Sequence, residues 1–247
     1  MKHRSIVSRK LSVVSSYYFC LFLTLLSICP TLVKAQSKNI VDKIWNSAGG
    51  KNKWESTKYI MFTVSGNSQF GSITGTRKFL LDKQNNLVRF EGTFDNENIV
   101  AILNVKNQKL IRLYNENGTE LSATEFKGLV SELAAQYNID LKVLALPASI
   151  ATASLDGGSE SKIINAEKLQ KVDFNNFLGG SGSVYVNEES GMIKRIDMDN
   201  KNYIVNGYKD IGNGLVLPTI FKGSNDSISY QKVASFTEME TAKFKSF

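Results

Sequence analysis

The spacing of apolar residues changes period three times along the chain. Over residues 39–47, Ile40, Val41, Ile44 and Trp45 recur at helical spacing and stop at Ala48-Gly49-Gly50, which predicts a short amphipathic helix with a glycine C-cap. From Trp54 the period becomes two. Ile60, Phe62 and Val64 share one face of a first strand, which Ser65-Gly66-Asn67-Ser68 ends. Ile73, Phe79 and Leu81 share a face of a second strand, with Thr74, Thr76 and Lys78 opposite. Val88, Phe90 and Phe94 mark a third, joined to the second by a turn at residues 82–86. Residues 99–105 and 110–114 make another pair, and residues 115–118 close the meander.

Helical spacing returns at Ser122. Ser122-Ala123-Thr124-Glu125 has the form of a capping box, in which the Ser hydroxyl and the Glu carboxylate each satisfy a free N–H at a helix start. Phe126, Leu129, Val130, Leu133, Ala134 and Tyr137 follow on one stripe of a helix expected to end near Asn138. Residues 140–155 are apolar and rich in small side chains around Pro147, which predicts a second, kinked helix carrying Leu141, Val143, Leu144, Leu146 and Ile150. After Asp156-Gly157-Gly158-Ser159, strands resume at residues 162–172, 183–187, 192–198, 203–208, 215–221 and 228–236. After the opening helix, about ten strands with two helical elements describe an α+β fold, a single antiparallel sheet with helices over one face.

The first 35 residues follow other rules. Residues 1–10 are basic, residues 11–33 are apolar, and Val33-Lys34-Ala35 places small side chains where a signal peptidase reads. A cleavable signal peptide over residues 1–35 is expected, with residues 36–247 as one domain. The apolar run could also span a bilayer as an uncleaved anchor, but Pro30 and the Val-x-Ala end point to cleavage. Leu26-Ser27-Ile28-Cys29 has the outline of a lipobox, with Ile28 bulky before the cysteine, so lipid anchoring at Cys29 is the lesser alternative.

This leader changes what the composition means. It holds the only histidine, His3, both cysteines, Cys20 and Cys29, and five basic residues with no acidic one. Without it, 25 basic face 23 acidic side chains, and the net charge falls from +7 to +2. A remainder without His or Cys cannot build a Ser-His-Asp triad, a thiol nucleophile, or a thiolate or imidazole metal site. Its charge gives no long-range attraction to nucleic acid. No metal or cofactor is called for.

Candidate motifs are few. Gly179-Gly180-Ser181-Gly182-Ser183 lacks the Lys-Ser/Thr of a phosphate loop and precedes a strand, so it is expected to be a turn. Asp197-Met198-Asp199-Asn200 alternates carboxylates, but Lys201 takes a ligand position of a calcium loop, and a strand-end turn is expected. Glu188-Glu189 and Asp95-Asn96-Glu97 fall at hairpin tips. A hydrolase built on paired carboxylates stays open as an alternative, since it needs only Asp and Glu. An outer-membrane barrel would need uninterrupted lipid-facing rows, whereas Lys232 shares the parity of Ile228 and Tyr230. Residues 99–103 and 215–221 are apolar on both faces, as in a two-layer core or the wall of a hydrophobic cavity.

Tyr208-Lys209-Asp210-Ile211-Gly212-Asn213-Gly214-Leu215-Val216-Leu217-Pro218-Thr219, followed by a strand, the turn Gly223-Ser224-Asn225-Asp226 and a strand to Phe236, resembles the closing hairpins of the LolA-like proteins, the lipoprotein localisation factors and their outer-membrane lipoprotein-sorting relatives. Ala48, Gly49, Gly50 and Trp54 resemble the family's opening, and Leu87-Val88-Arg89-Phe90-Glu91 and Ile111-Arg112-Leu113-Tyr114 its middle strands. The resemblance implies an incomplete, curved antiparallel half-barrel with helices plugging its open side and a lipid-facing interior. It also implies a non-catalytic role in the periplasm of a Gram-negative bacterium, as a monomeric carrier or chaperone for lipid or lipoprotein acyl chains that meets a membrane surface or a membrane-bound transfer partner. The family's carrier closes its helical lid with an arginine on an early strand, and Arg77 lies in the corresponding part of this chain. On this reading Phe62, Val64, Phe79, Leu81, Val88 and Phe90 line the site, and Phe126, Leu129, Val130, Leu133, Leu144 and Ile150 form the lid. Residues 122–155 are a longer helical insertion than a minimal carrier has, so a sensor or assembly factor that grips a protein partner is the alternative.

Overall fold

The computed structural model describes residues 39–66, 73–122, 124, 126–156 and 160–247. The expected signal peptide, Cys29, the Gly157-Gly158-Ser159 loop, and Ala123 and Glu125 of the expected capping box lie outside the described residues. Helices α1 (residues 39–47) and α2 (Lys51–Ser56) precede a five-strand meander, β1 (Tyr59–Ser65), β2 (Arg77–Asp82), β3 (Leu87–Phe94), β4 (Glu97–Asn104) and β5 (Lys109–Asn115). Helices α3 (Leu129–Leu144) and α4 (Leu146–Ala151) follow. The chain then runs through β6 (Ser154–Asp156), β7 (Ser161–Ile164), β8 (Glu167–Phe177), β9 (Gly180–Asn187), β10 (Ile193–Met198) and β11 (Lys201–Asn206). It continues through β12 (Lys209–Asp210), β13 (Val216–Leu217), β14 (Ile220–Lys222) and β15 (Ser227–Phe236) to a 3-10 turn at Thr241–Phe244.

Thirteen strands form one sheet in the order β5-β4-β3-β2-β1-β15-β14-β11-β10-β9-β8, with β6 and β7 both beyond β8. Every pairing is antiparallel, and β5 does not pair with β6 or β7, so the sheet is open. Laid flat, twelve strands at the usual spacing would be about 50 Å wide, far more than helices about 10 Å across can cover. Inner-face residues are nevertheless buried from Leu113 on β5 to Phe174 on β8, so the sheet must curl around its helices. This is the α+β architecture that the pattern of strands and helices predicts.

Several boundaries differ from those expected. The strand expected over residues 162–172 is a hairpin, β7 and β8, turning through Asn165 and Ala166, both with positive φ. Pro218 divides the strand expected over residues 215–221 into β13 and β14, because proline cannot donate to a ladder. The long helix does not begin at Ser122: the Ser122 hydroxyl is bonded to Thr124 Oγ1 and accepts from the Thr124 N–H at 3.4 Å, while α3 starts only at Leu129. Left-handed Gly128 (φ 77°) precedes the first helical residue, Leu129, so Phe126 lies outside the helix. The helix also continues past Asn138 to Leu144, and Pro147 opens α4 where a kink was expected.

Two of the sequence phrases meet in space. At Gly49 (φ 93°) the position a Cβ would take is 2.0 Å from the Gly214 carbonyl oxygen, and Val216 N–H donates to the Ala48 carbonyl at 3.1 Å. Ala-Gly-Gly and the Gly-apolar-x-Leu-Pro phrase are thus the two sides of one backbone contact, which only glycine permits.

Candidate functional site

Alternation places Arg77, Phe79 and Leu81 on the same face of β2 as one another, and the register sets them beside Val64, Phe62 and Ile60 of β1 and beside Gly92, Phe90 and Val88 of β3. The centre is aromatic: Phe79 packs on Phe62 (ring centroids 5.3 Å apart), on Phe90 (5.4 Å) and on Tyr137 of α3 (6.0 Å). Phe62, Val64, Phe79, Leu81, Val88 and Phe90 are all fully buried in one cluster with Leu129, Leu133, Leu144 and Ile150 of the helices. Phe126 joins that cluster from the segment before α3, its ring 6.4 Å from Phe94, whereas Val130 is half-buried. The interior of the half-barrel is therefore filled by α3 and α4 in the state seen here.

One pair in this interior is charged. Arg77 donates from Nε and Nη2 to the two carboxylate oxygens of Asp140, at 2.6 and 2.7 Å, and from Nη1 to the Gly75 carbonyl at 3.1 Å. The two side chains are 0% and 1% exposed. Tyr230 of β15 donates its hydroxyl to the Asp140 main-chain carbonyl at 2.8 Å, so both ends of this residue are tied to the sheet. Gly92 makes room: a Cβ there would stand 2.8 Å from the Phe90 ring and 3.3 Å from the Arg77 Cβ. Gln136, one turn before Asp140, accepts from the Ile73 N–H at 3.2 Å.

Asp140 carries no expected role in the sequence reading, although a signal existed. It continues the stripe of Leu129, Leu133 and Gln136 toward Val143 and Leu144, an acid on a helix face that is otherwise buried. An arginine sharing parity with Phe79 and Leu81 is its natural counterpart.

Burial pushes the Tyr137 phenol up to about 12 and also raises that of Tyr230 well above its ordinary value. The fold favours the neutral phenol, so an unfolded chain loses its proton first, and stability falls as pH rises from about 10 upward. Denaturant midpoints compared at about pH 9 and about pH 11 should drop for the natural protein and drop less for Tyr137→Phe.

The remaining candidates are structural. Asp199 and Asn200 form a positive-φ turn between β10 and β11, and Gly180-Ser181-Gly182-Ser183 lies within β9. Besides Asp140, the other buried carboxylate among the described residues is Asp82, which accepts from Asn85 N (3.0 Å) and Nδ2 (2.7 Å) at the β2–β3 turn. On the outer face, a cavity of about 580 Å3 lies between β1–β3 and the segment after β15, lined by Met61, Leu80, Arg89, Phe236, Met239 and Phe247 among others. Arg89 holds that segment by donating to the Lys243 and Ser246 carbonyls, at 3.3 and 2.8 Å.

No protein-family model and no curated protein matches the chain. Among solved structures it is similar to a DUF1329 family protein from Desulfovibrio piger (10% identity, 86% of this chain and 96% of the other, TM-score 0.42). It is similar to a LolA superfamily protein from Nitrosomonas europaea (9% identity, 81% and 95%, TM-score 0.42). It is also similar to a Vibrio parahaemolyticus domain whose name assigns it to outer-membrane lipoprotein sorting (10% identity, 78% and 93%, TM-score 0.40). These are likenesses of fold and no more.

Proposed function

We propose that the chain is an exported periplasmic carrier of a hydrophobic ligand, a lipid or the acyl chains of a lipoprotein, and that it works by burial without covalent chemistry. The observation that carries this reading is the bidentate Arg77–Asp140 pair, buried between the sheet and the helices that fill it. A buried ion pair generally holds two surfaces no better than apolar side chains of the same volume, and its best-attested use is to fix register or serve in a switch. Such a pair at the one seam that must part for a ligand to enter is a latch, as the resemblance to LolA-like proteins implies for an early-strand arginine. In this reading α3 and α4 are the lid, with Leu129, Val130, Leu133, Leu144 and Ile150 on it and Phe126 at its hinge. The site it uncovers is walled by Phe62, Val64, Phe79, Leu81, Val88 and Phe90. Each buried methylene of a ligand contributes about 0.8 kcal/mol, so one long chain can offset the separation of the lid.

Native mass spectrometry with lipid extraction tests this directly. A lipid should co-purify with the protein expressed with export to a periplasm, and delipidated protein should take lipid up from vesicles. Protein that is consistently empty and takes up none would overturn the reading. The filled interior and the open outer-face cavity favour a second reading, in which the sheet's outer surface grips a partner protein beside Met61, Leu80 and Phe236. That role would persist in a variant whose lid is locked shut by a disulfide, whereas carriage would stop.

A further inference from the structure

We infer that the ligand of this site is an amphiphile with an anionic head group, and that its head replaces the Asp140 carboxylate on Arg77. The inference rests on the carrier reading and adds the chemistry of the ligand to it. Arg77 belongs to the sheet: it lies inside β2, paired on both sides, between Val64 and Gly92. Asp140 belongs to α3 and leaves with it. Parting the two therefore strands a guanidinium on the floor of a pocket walled by Phe62, Phe79, Phe90 and Val64, all buried apolar residues. A guanidinium remains charged at any physiological pH, so it cannot escape by losing its proton.

An uncharged acyl chain or ester entering this pocket would leave Arg77 facing hydrocarbon with only the Gly75 carbonyl as a partner from the closed state. A carboxylate or a phosphate monoester presents two oxygens at the same spacing as Asp140 and accepts the same pair of N–H bonds from Nε and Nη2. Asp140 is in this sense a resident stand-in for the head group. Ligand head and lid carboxylate compete for one fork of donors, so loading and lid release are a single exchange at Arg77.

The test compares cis-parinaric acid, whose fluorescence reports apolar burial, with its methyl ester, on the delipidated full chain. The acid should bind at least tenfold more tightly than the ester. Asp140→Asn, which removes the competing charge, should tighten the acid further. Arg77→Leu/Asp140→Leu, which removes both charges and keeps the site apolar, should lose the preference and bind the ester at least as well as the acid. Displacement of parinarate by dodecyl phosphate and by dodecanoate separates a phosphate head from a carboxylate. Equal binding of acid and ester by the natural protein, or a preference that survives in the double variant, would overturn the exchange while leaving carriage intact. If neither probe binds, the carrier reading itself fails.

Discussion

Arg77→Leu is expected to lower the folding free energy by about 3–5 kcal/mol, and Arg77→Leu/Asp140→Leu to recover most or all of it. In the single variant the Asp140 carboxylate stays at 1% exposure with its two strongest donors gone, and only the Tyr230 bond to its main chain remains. A buried carboxylate without its donors in an apolar interior is costly. In the double variant the two leucines meet inside the cluster of Phe62, Phe79 and Val64. Replacement of a buried ion pair by apolar side chains is typically neutral or stabilising by about 1–4 kcal/mol. Urea unfolding of the three proteins, analysed as a double-mutant cycle, measures the coupling. A double variant as unstable as the single one would mean that the pair contributes shape and hydrogen bonding that leucines cannot replace. Arg77 and Asp140 would then be structural partners and not a latch.

Phe79→Ala is expected to cost a similar amount, about 3–5 kcal/mol, and to leave a void with a specific property. The ring touches Phe62, Phe90 and Tyr137, so its removal opens a space roofed by α3 and floored by three strands. A void lined by aromatic and aliphatic carbon stays dry and takes up small apolar molecules. Benzene should therefore raise the melting temperature of Phe79→Ala and leave that of the natural protein unchanged, since only the variant has a place for it in the folded state. Stabilisation of the natural protein by benzene would show that its interior already opens to small ligands without loss of the ring.

The sheet was legible because it obeys its period. The alternation of half-buried and buried residues along β1 and the common face of Phe79 and Leu81 follow from the order of apolar residues alone. The hairpin at Asn165-Ala166 was not legible, since an alanine in the left-handed region advertises no turn. The helices failed for two reasons. Ser122 accepts from the Thr124 N–H as a cap would, but the long helix begins only after left-handed Gly128. Asn138 is a weak helix former and not a breaker, so the stripe through Leu133, Gln136, Asp140 and Val143 carries the helix past it. Cutting the helix there hid Asp140, whose partner Arg77 was singled out only by the resemblance to an early-strand arginine. The candidate wall was readable from the sequence, whereas the ion pair behind it needed the register of a helix on a sheet.

The placement of β1 between β2 and β15 also governs how the chain can fold. Gln231 reaches Ser65 across 166 positions of sequence, and every pair of the β1–β15 seam, from Ser65–Ser229 to Tyr59–Phe236, is as remote or nearly so. As the chain is made from its N-terminus, β1 to β5 emerge early and can form a meander, but the outer edge of β1 then has no neighbour until β15 arrives. An unpaired edge carrying Ile60, Phe62 and Val64 is a template for other chains, and closure at such long range is slow. The protein therefore passes through an aggregation-prone half-sheet each time it is made, and its yield in a cell will depend on how well that edge is shielded until the last long strand is delivered.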